Sequence, residues 1–480
     1  INSGDDNSAF GGKALQATTS GGANTAVGYY SLYTNTTSEH NTAVGVNSLR
    51  TNDGGDGNVA VGHGALYSNT TANENVAIGK NAMYANTEGH SNVAVGYNAL
   101  DANTTGDKHT AVGKLALSAV STANENTAVG YYALAANTSG QYNTGIGVEA
   151  GITNQTGSYN TSVGWKALNV ATGAACTAVG AEAGLSITSN NNSTLIGASA
   201  GRYNTGSSNV AVGTESLEGA SGQSDGYNNT AVGFQSLHAC ETSNNNTCIG
   251  YNAGYTIGDS DGENTFVGNN SGKVCSTGRS NTCIGTQSGE TITSGDFNVA
   301  IGHQASNDQL TTEDNYLFIA RDNTSDGNAA MWIHGDGSGS CTQGDNSSSW
   351  TTTSDQRLKK DIVDNNEGLN IIENVRIRNF KYKQYKKSDG SRVYDTPVSE
   401  EDTINVDSFE NGSTAHMLVI GQGKTDTQLG VIAQELEAVC PMAVITDHRG
   451  AKKVNEDPLI WHMINAIKEL SAKVKALEAK

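Results

Sequence analysis

One glycine-centred motif, Asn-Thr/Val-Ala-Val/Ile-Gly-x-x-Ala/Ser-Leu/Gly, recurs from the start of the chain to about residue 306 and constrains everything that the first three hundred residues can become. Its glycines are Gly11, Gly28, Gly45, Gly62, Gly79, Gly96, Gly113, Gly130, Gly147 and Gly164, nine steps of 17, then Gly180, Gly197, Gly213, Gly233, Gly250, Gly268, Gly285 and Gly302. A unit this short cannot hold a helix pair, and its Thr/Val-x-Val/Ile alternation has the two-residue period of a strand. The expected fold is therefore mainly β, a β-solenoid or β-roll of ~17-residue rungs over residues 1–306. With parallel strands ~4.8 Å apart, eighteen rungs make a rod roughly 85 Å long.

The column assignment follows from the motif. Val or Ile just before the glycine (Val27, Val44, Val61, Ile78, Val95) and Leu four after it (Leu32, Leu49, Leu66, Leu100) are expected to stack as an inward apolar column. The Thr/Val column three before the glycine mixes in valine, which also suits an inward face. Asn four before the glycine (Asn24, Asn41, Asn58, Asn75, Asn92) is expected to form a hydrogen-bonded amide ladder. The glycine itself implies positive φ or close backbone approach. Small residues two before and three after it (Ala26 and Ser31, Ala60 and Ala65) would let three such rods approach around an axis.

Composition supports a thin repetitive structure over a thick core: glycine is 58 of 480 residues and aromatics are 6%. Charge divides the chain. Residues 1–353 carry 10 basic and 28 acidic groups, whereas residues 354–480 carry 18 and 20 and hold all three prolines, Pro397, Pro441 and Pro458. The acidic first part repels phosphate backbones, so no nucleic-acid partner is expected. No apolar run approaches the roughly 20 residues that span a bilayer, so no membrane insertion is expected. The chain begins at Ile1 without a methionine, and an upstream part is expected. Residues 307–353 read as terminal strands, with Tyr316–Ile319 one last strand, followed by Met331–Ile333 and a Gly/Ser/Thr-rich stem.

Two resemblances extend this reading. The repeats resemble the head β-roll repeats of trimeric adhesins and the β-roll segments of phage fibres, which implies a homotrimer. The segment Thr353-Ser354-Asp355-Gln356-Arg357-Leu358-Lys359-Lys360-Asp361-Ile362 resembles the start of the endosialidase-type intramolecular chaperone, a self-cleaving domain at the C-termini of phage fibres and spikes. Leu429-Gly-Val-Ile-Ala-Gln-Glu-Leu436 followed by Pro441, and a final helix, extend the likeness over residues 354–480. It implies a small α+β chaperone domain, a scissile bond between Thr353 and Ser354, and a catalytic dyad of Ser354 and Lys359. A serine hydroxyl becomes nucleophilic when a lysine deprotonated by desolvation takes its proton. The reaction is single-turnover autoproteolysis in cis, and no other catalytic activity is expected. The bland alternative is that Ser354 and Asp355 cap a turn and the cations lie on a solvated face.

The last helix repeats apolar residues at Ile460, Met463, Ile467, Leu470, Val474 and Leu477, an a/d seam expected to form a coiled coil over residues 459–480. Packing on its own domain is the alternative. A seam that aligns three chains from one end suppresses the register slips to which stacked rungs are prone.

Cys240 and Cys248 recur as Cys275 and Cys283, 35 residues later, and each pair reads either as a disulfide bridging a rung or as two buried thiols. The acidic loops at Asp53–Asp56 and Asp259–Glu263 read as solvated turns rather than calcium sites, and no metal or cofactor is expected. Tyr29, Tyr30, Tyr131 and Tyr132 present aromatic faces that can stack on sugars, although scattered surface tyrosines are more often inert. The functional expectation is a virion tail fibre, extracellular in its final location, with partners in other tail proteins and a host cell-surface receptor that a glycan would suit. A trimeric cell-surface adhesin with a non-cleaving C-terminal trimerisation domain is the first alternative, and a polysaccharide-degrading tailspike the second. No paired-carboxylate cleft is placed by the repeats.

Overall fold

A computed structural model of the chain describes residues 4–188, 192–219, 224–258, 262–306, 310–320, 331–335, 337, 341–343, 368–380, 384–386, 403–405, 428–430, 432–446, 452–454 and 457–479. The chain divides into two compact units, residues 1–351 and 352–480.

The first unit is a parallel β-solenoid of about 18 turns. Each rung contributes a three-residue strand such as Thr42–Val44, paired in register with the next: Thr42 with Val59, Ala43 with Ala60, Val44 with Val61. The motif glycine ends the strand. At Gly45 φ is 137°, and a Cβ there would lie 2.5 Å from the carbonyl oxygen of Gly62, so both reasons for glycine hold at once. The corner then turns through left-handed residues, Asn47 at 58° and Leu49 at 45°. Hydrogen bonds to neighbouring rungs hold these strained residues in place, as when Leu49 N–H donates to the Ala65 carbonyl at 3.0 Å.

The strand's inward side corrects the expectation. Ala43, the central residue, is fully buried, and so are Ala26, Ala60, Ser31 and Ala65. Val44 and its equivalents point outward, Ile78 being 40% exposed, and the Thr/Val column three before the glycine is only half-buried. In a three-residue strand only the middle side chain faces the interior, and the narrow coil leaves it room for an alanine. The small residues are therefore core, and cannot supply a surface on which rods approach one another. Leu32, Leu49, Leu66 and Leu100 are fully buried as expected.

The core keeps its volume when the leucine is lost. Where the position four after the motif glycine is itself glycine, a larger residue fills the space from elsewhere: Leu195 opposite Gly201, Phe266 opposite Gly272, Ile187 opposite Gly184. A Cβ on Gly272 would lie 2.5 Å from the Phe266 ring, and one on Gly201 would lie 2.6 Å from Leu195.

The asparagine ladder forms as expected. Asn58 Oδ1 accepts the Asn75 backbone N–H at 2.9 Å, while its Nδ2 donates to the Ala72 carbonyl at 2.8 Å. A second ladder runs seven residues after the glycine, Asn35, Asn52, Asn69, Asn86 and Asn103, with amide-to-amide bonds of 2.7–3.1 Å. Its 17-residue spacing was visible in the sequence, and column analysis anchored on the strand alone misses it. Beyond Gly302 the strand Leu317–Ala320 pairs parallel to Val299–Ile301 as a last rung. An antiparallel pair, Met331–Gly335 and Cys341–Gln343, then covers the sheet edge.

In the second unit the described elements are helix α1 (Leu369–Asn374), helix α2 (Ala433–Val439), helix α3 (Asp457–Glu478) and short strands, among them the antiparallel pair Val444–Thr446 and Lys452–Val454. Leu436, Cys440 and Ala443 form a small core, packed by Ile371, Val375, Val439, Val444, Val454 and Leu459.

Candidate functional site

Thr353, Ser354 and Lys359 lie outside the described residues. The second half of the resemblance, Leu429 to Leu436, runs from the strand Gln428–Gly430, antiparallel to Arg378–Phe380, into α2, whose Leu436 anchors the small core. Pro441 follows at the first position of a short 3-10 turn, where its missing N–H costs nothing.

Helix α3 has two differently used faces. His462 and Ala466 are buried, α1 lies against this face, and the Leu369 N–H donates to Glu469 at 3.4 Å. The seam residues point away: exposure runs from 47% at Val474 to 71% at Leu477, with Ile460, Met463, Ile467 and Leu470 between. An apolar stripe of six residues at coiled-coil spacing is left exposed by the described residues of its own unit. No helix among the described residues is long and apolar enough to cross a membrane.

The rod presents its own long surface. The residues three and one before each motif glycine form two outward ridges, all Thr, Val or Ile from Thr25 to Ile301, with no charge in a chain of net −20. Nearby aromatic rings stack on one another between rungs, Tyr67 on Tyr84 and Tyr142 on Tyr159 at 4.9 Å, Phe234 on Tyr251 at 5.6 Å. Tyr29 meets Tyr30, and Tyr131 meets Tyr132, edge to face.

The cysteines resolve to the second of their two readings. Cys240, Cys248, Cys275 and Cys283 are free and buried in the coil interior. Desolvation pushes the Cys240 and Cys275 thiols up to about 12 and raises Cys248 and Cys283 as well, so none is a nucleophile at neutral pH. Asp56 uses Oδ1 to accept the Glu39 backbone N–H at 2.8 Å, the work of a turn residue. Asp259 and Asp261 lie outside the described residues.

Among the described residues one group has the makings of a metal-ligand set, Glu215, Glu218 and His238, with ligand atoms within 4.8 Å of one another. Each carboxylate already has a partner. Gln235 donates to Glu215 at 2.7 Å, Arg202 sits 3.6 Å from Glu218, and His238 Nε2 lies 2.9 Å from Glu218. The arrangement is a ladder of ion pairs and hydrogen bonds between rungs, and a cation already occupies part of its field.

The family model described as the chaperone of endosialidase matches residues 354–395, beginning at Ser354. Neither a curated protein nor a solved structure matches the chain. A long parallel β-solenoid followed by a chaperone-of-endosialidase segment is the organisation of a tail-fibre- or spike-like protein.

Proposed function

We propose that this chain is a virion fibre, of bacteriophage type, that displays a trimeric β-solenoid for attachment to a host surface and carries a C-terminal chaperone that releases itself before Ser354. The observation that carries the reading is the order of parts: a repetitive rod, then a family match that starts at the residue where cleavage is expected. In the reaction, Ser354 Oγ attacks the Thr353 carbonyl while neutral Lys359 accepts its proton and passes it to the leaving amine; water then hydrolyses the ester. Other tail proteins and a host receptor are the partners in this reading.

Two surfaces support assembly of several copies. The exposed seam of α3 suits a coiled coil. The paired Thr/Val and Val/Ile ridges take over the role first assigned to the small residues. A strip ~85 Å long and ~10 Å wide presents ~800 Å² per chain, the scale of a stable interface, and it is the uncharged strip on an acidic rod. Like charge holds copies apart everywhere else.

The test is the denatured mass of the wild type beside Ser354→Ala, with the native mass of each. Fragments ending at Thr353 and beginning at Ser354 in wild type alone, on a trimeric native mass, support the proposal. Two intact chains would remove the catalytic role of Ser354 and Lys359 and make the C-terminal unit a permanent trimerisation cap, the adhesin-like reading.

A further inference from the structure

One cleft on the rod is built differently from the stacked surface around it. It has a volume of about 400 Å³ and runs along the corner that precedes the strands, from Tyr227 to Phe297. These two rings lie at its ends, four rungs or ~19 Å apart along the axis at the parallel-strand spacing. Both are about half exposed, 47% for Tyr227 and 50% for Phe297. Unlike the tyrosine pairs elsewhere on the rod, they do not stack on a ring in the next rung; Phe297 instead has the Arg279 guanidinium 5.8 Å from its centroid.

Between the rings the lining is polar, with one cation and two carboxylates at or beside it. The Arg279 guanidinium is paired with Asp296 at 3.0 Å, and Glu263 accepts a hydrogen bond from Ser280 at 3.1 Å. Asn244 and Asn245 lie in the adjoining rung, and Tyr227 N–H donates to the Asn244 side-chain oxygen at 2.8 Å. An amide offers two donors and two acceptor sites, so the asparagines keep groups to offer a ligand after these bonds are made.

We propose that this cleft is a binding subsite for a neutral oligosaccharide of three to four pyranose units lying along the rod axis. A pyranose carries C–H groups on its faces and hydroxyls around its rim. The C–H faces pack on the negative faces of aromatic rings, and the hydroxyls need mixed donors and acceptors in a row. The cleft supplies a ring at each end and amide, hydroxyl and carboxylate groups between. A polyanionic glycan is disfavoured because Arg279 is already neutralised by Asp296 and Glu263 adds negative charge to the lining. This deepens the attachment reading by naming the class of receptor, and it rests on that reading only for its biological use.

The experiment is calorimetric titration of the full chain with chitotetraose, maltotetraose, cellotetraose and mannotetraose, beside a sulfated heparin tetrasaccharide. At least one neutral tetrasaccharide is expected to bind, with affinity reduced about tenfold in Tyr227→Ala or Phe297→Ala and retained in Phe297→Trp. Tyr142→Ala, on a stacked pair away from the cleft, leaves binding unchanged. The proposal is overturned if no neutral tetrasaccharide binds at about 10 mM, if binding ignores both ring variants, or if only the sulfated probe binds. Host-cell attachment by the same protein is scored separately: cells bound without any tetrasaccharide binding would sink the cleft and leave the fibre standing.

Discussion

His109 Nε2 lies 2.6 Å from the carbonyl oxygen of Ala123, fourteen residues on, where Asn92 and Asn126 place their side-chain nitrogens relative to Gly106 and Gly140. A carbonyl can only accept, so Nε2 carries the proton, and Nδ1 accepts the Asn126 backbone N–H at 3.2 Å. A neutral imidazole thus reproduces both bonds of a ladder asparagine, and its buried position lowers its pKa from 6.5.

Acid should therefore act at this rung. The folded pKa lies below the unfolded value, so the unfolded chain takes up the proton first as pH falls. The stability contribution is whole above 6.5 and is lost as pH drops through that value towards the lower folded one. His109→Asn restores the regular ladder and should show a smaller drop in Tm across this window than wild type. Equal acid sensitivity of the two proteins would remove His109 as the cause.

Gly45→Ala places a methyl 2.5 Å from the Gly62 carbonyl oxygen at a φ of 137°. The expected destabilisation is about 2–4 kcal/mol, read as a lower denaturation midpoint. A change within error would mean that adjacent rungs can part there without loss.

Phe266 and Gly272 form a volume pair. Phe266→Ala should cost about 3–5 kcal/mol by opening a cavity, and Gly272→Leu alone should be destabilising through overlap with the ring. The double variant recreates the Ala-and-Leu arrangement of the earlier rungs and should be more stable than either single one. Additive losses would show that the two residues do not share one space.

Thiol labelling gives a simple check of the coil interior. Cys341 is exposed and the other six cysteines are buried. Titration of the native chain at neutral pH should find a single fast thiol, Cys341, and all seven only after unfolding. Rapid native labelling of Cys240 or Cys283 would mean that the rungs open readily.

The sequence by itself determined the repeat period, the parallel β coil, the glycine at the end of each motif strand and the first asparagine ladder. Each of these recurs in register, because stacking asks for the same chemistry in the same place at nearly every turn. The motif around Ser354 was legible in the same way, as a local string. What only the tertiary structure decided was which side of each strand faces inward. Val44, Ala43 and Thr42 are all compatible with a half-buried strand, and a three-residue alternation reads equally well in either phase. The width of the coil settles it: the interior opposite a leucine such as Leu49 admits only a small side chain, so Ala43 turns in and Val44 turns out. The exchange of volume between Phe266 and Gly272, the imidazole of His109 standing in for an amide, and the cleft between Tyr227 and Phe297 depend likewise on residues brought together across rungs, which no spacing along the chain displays.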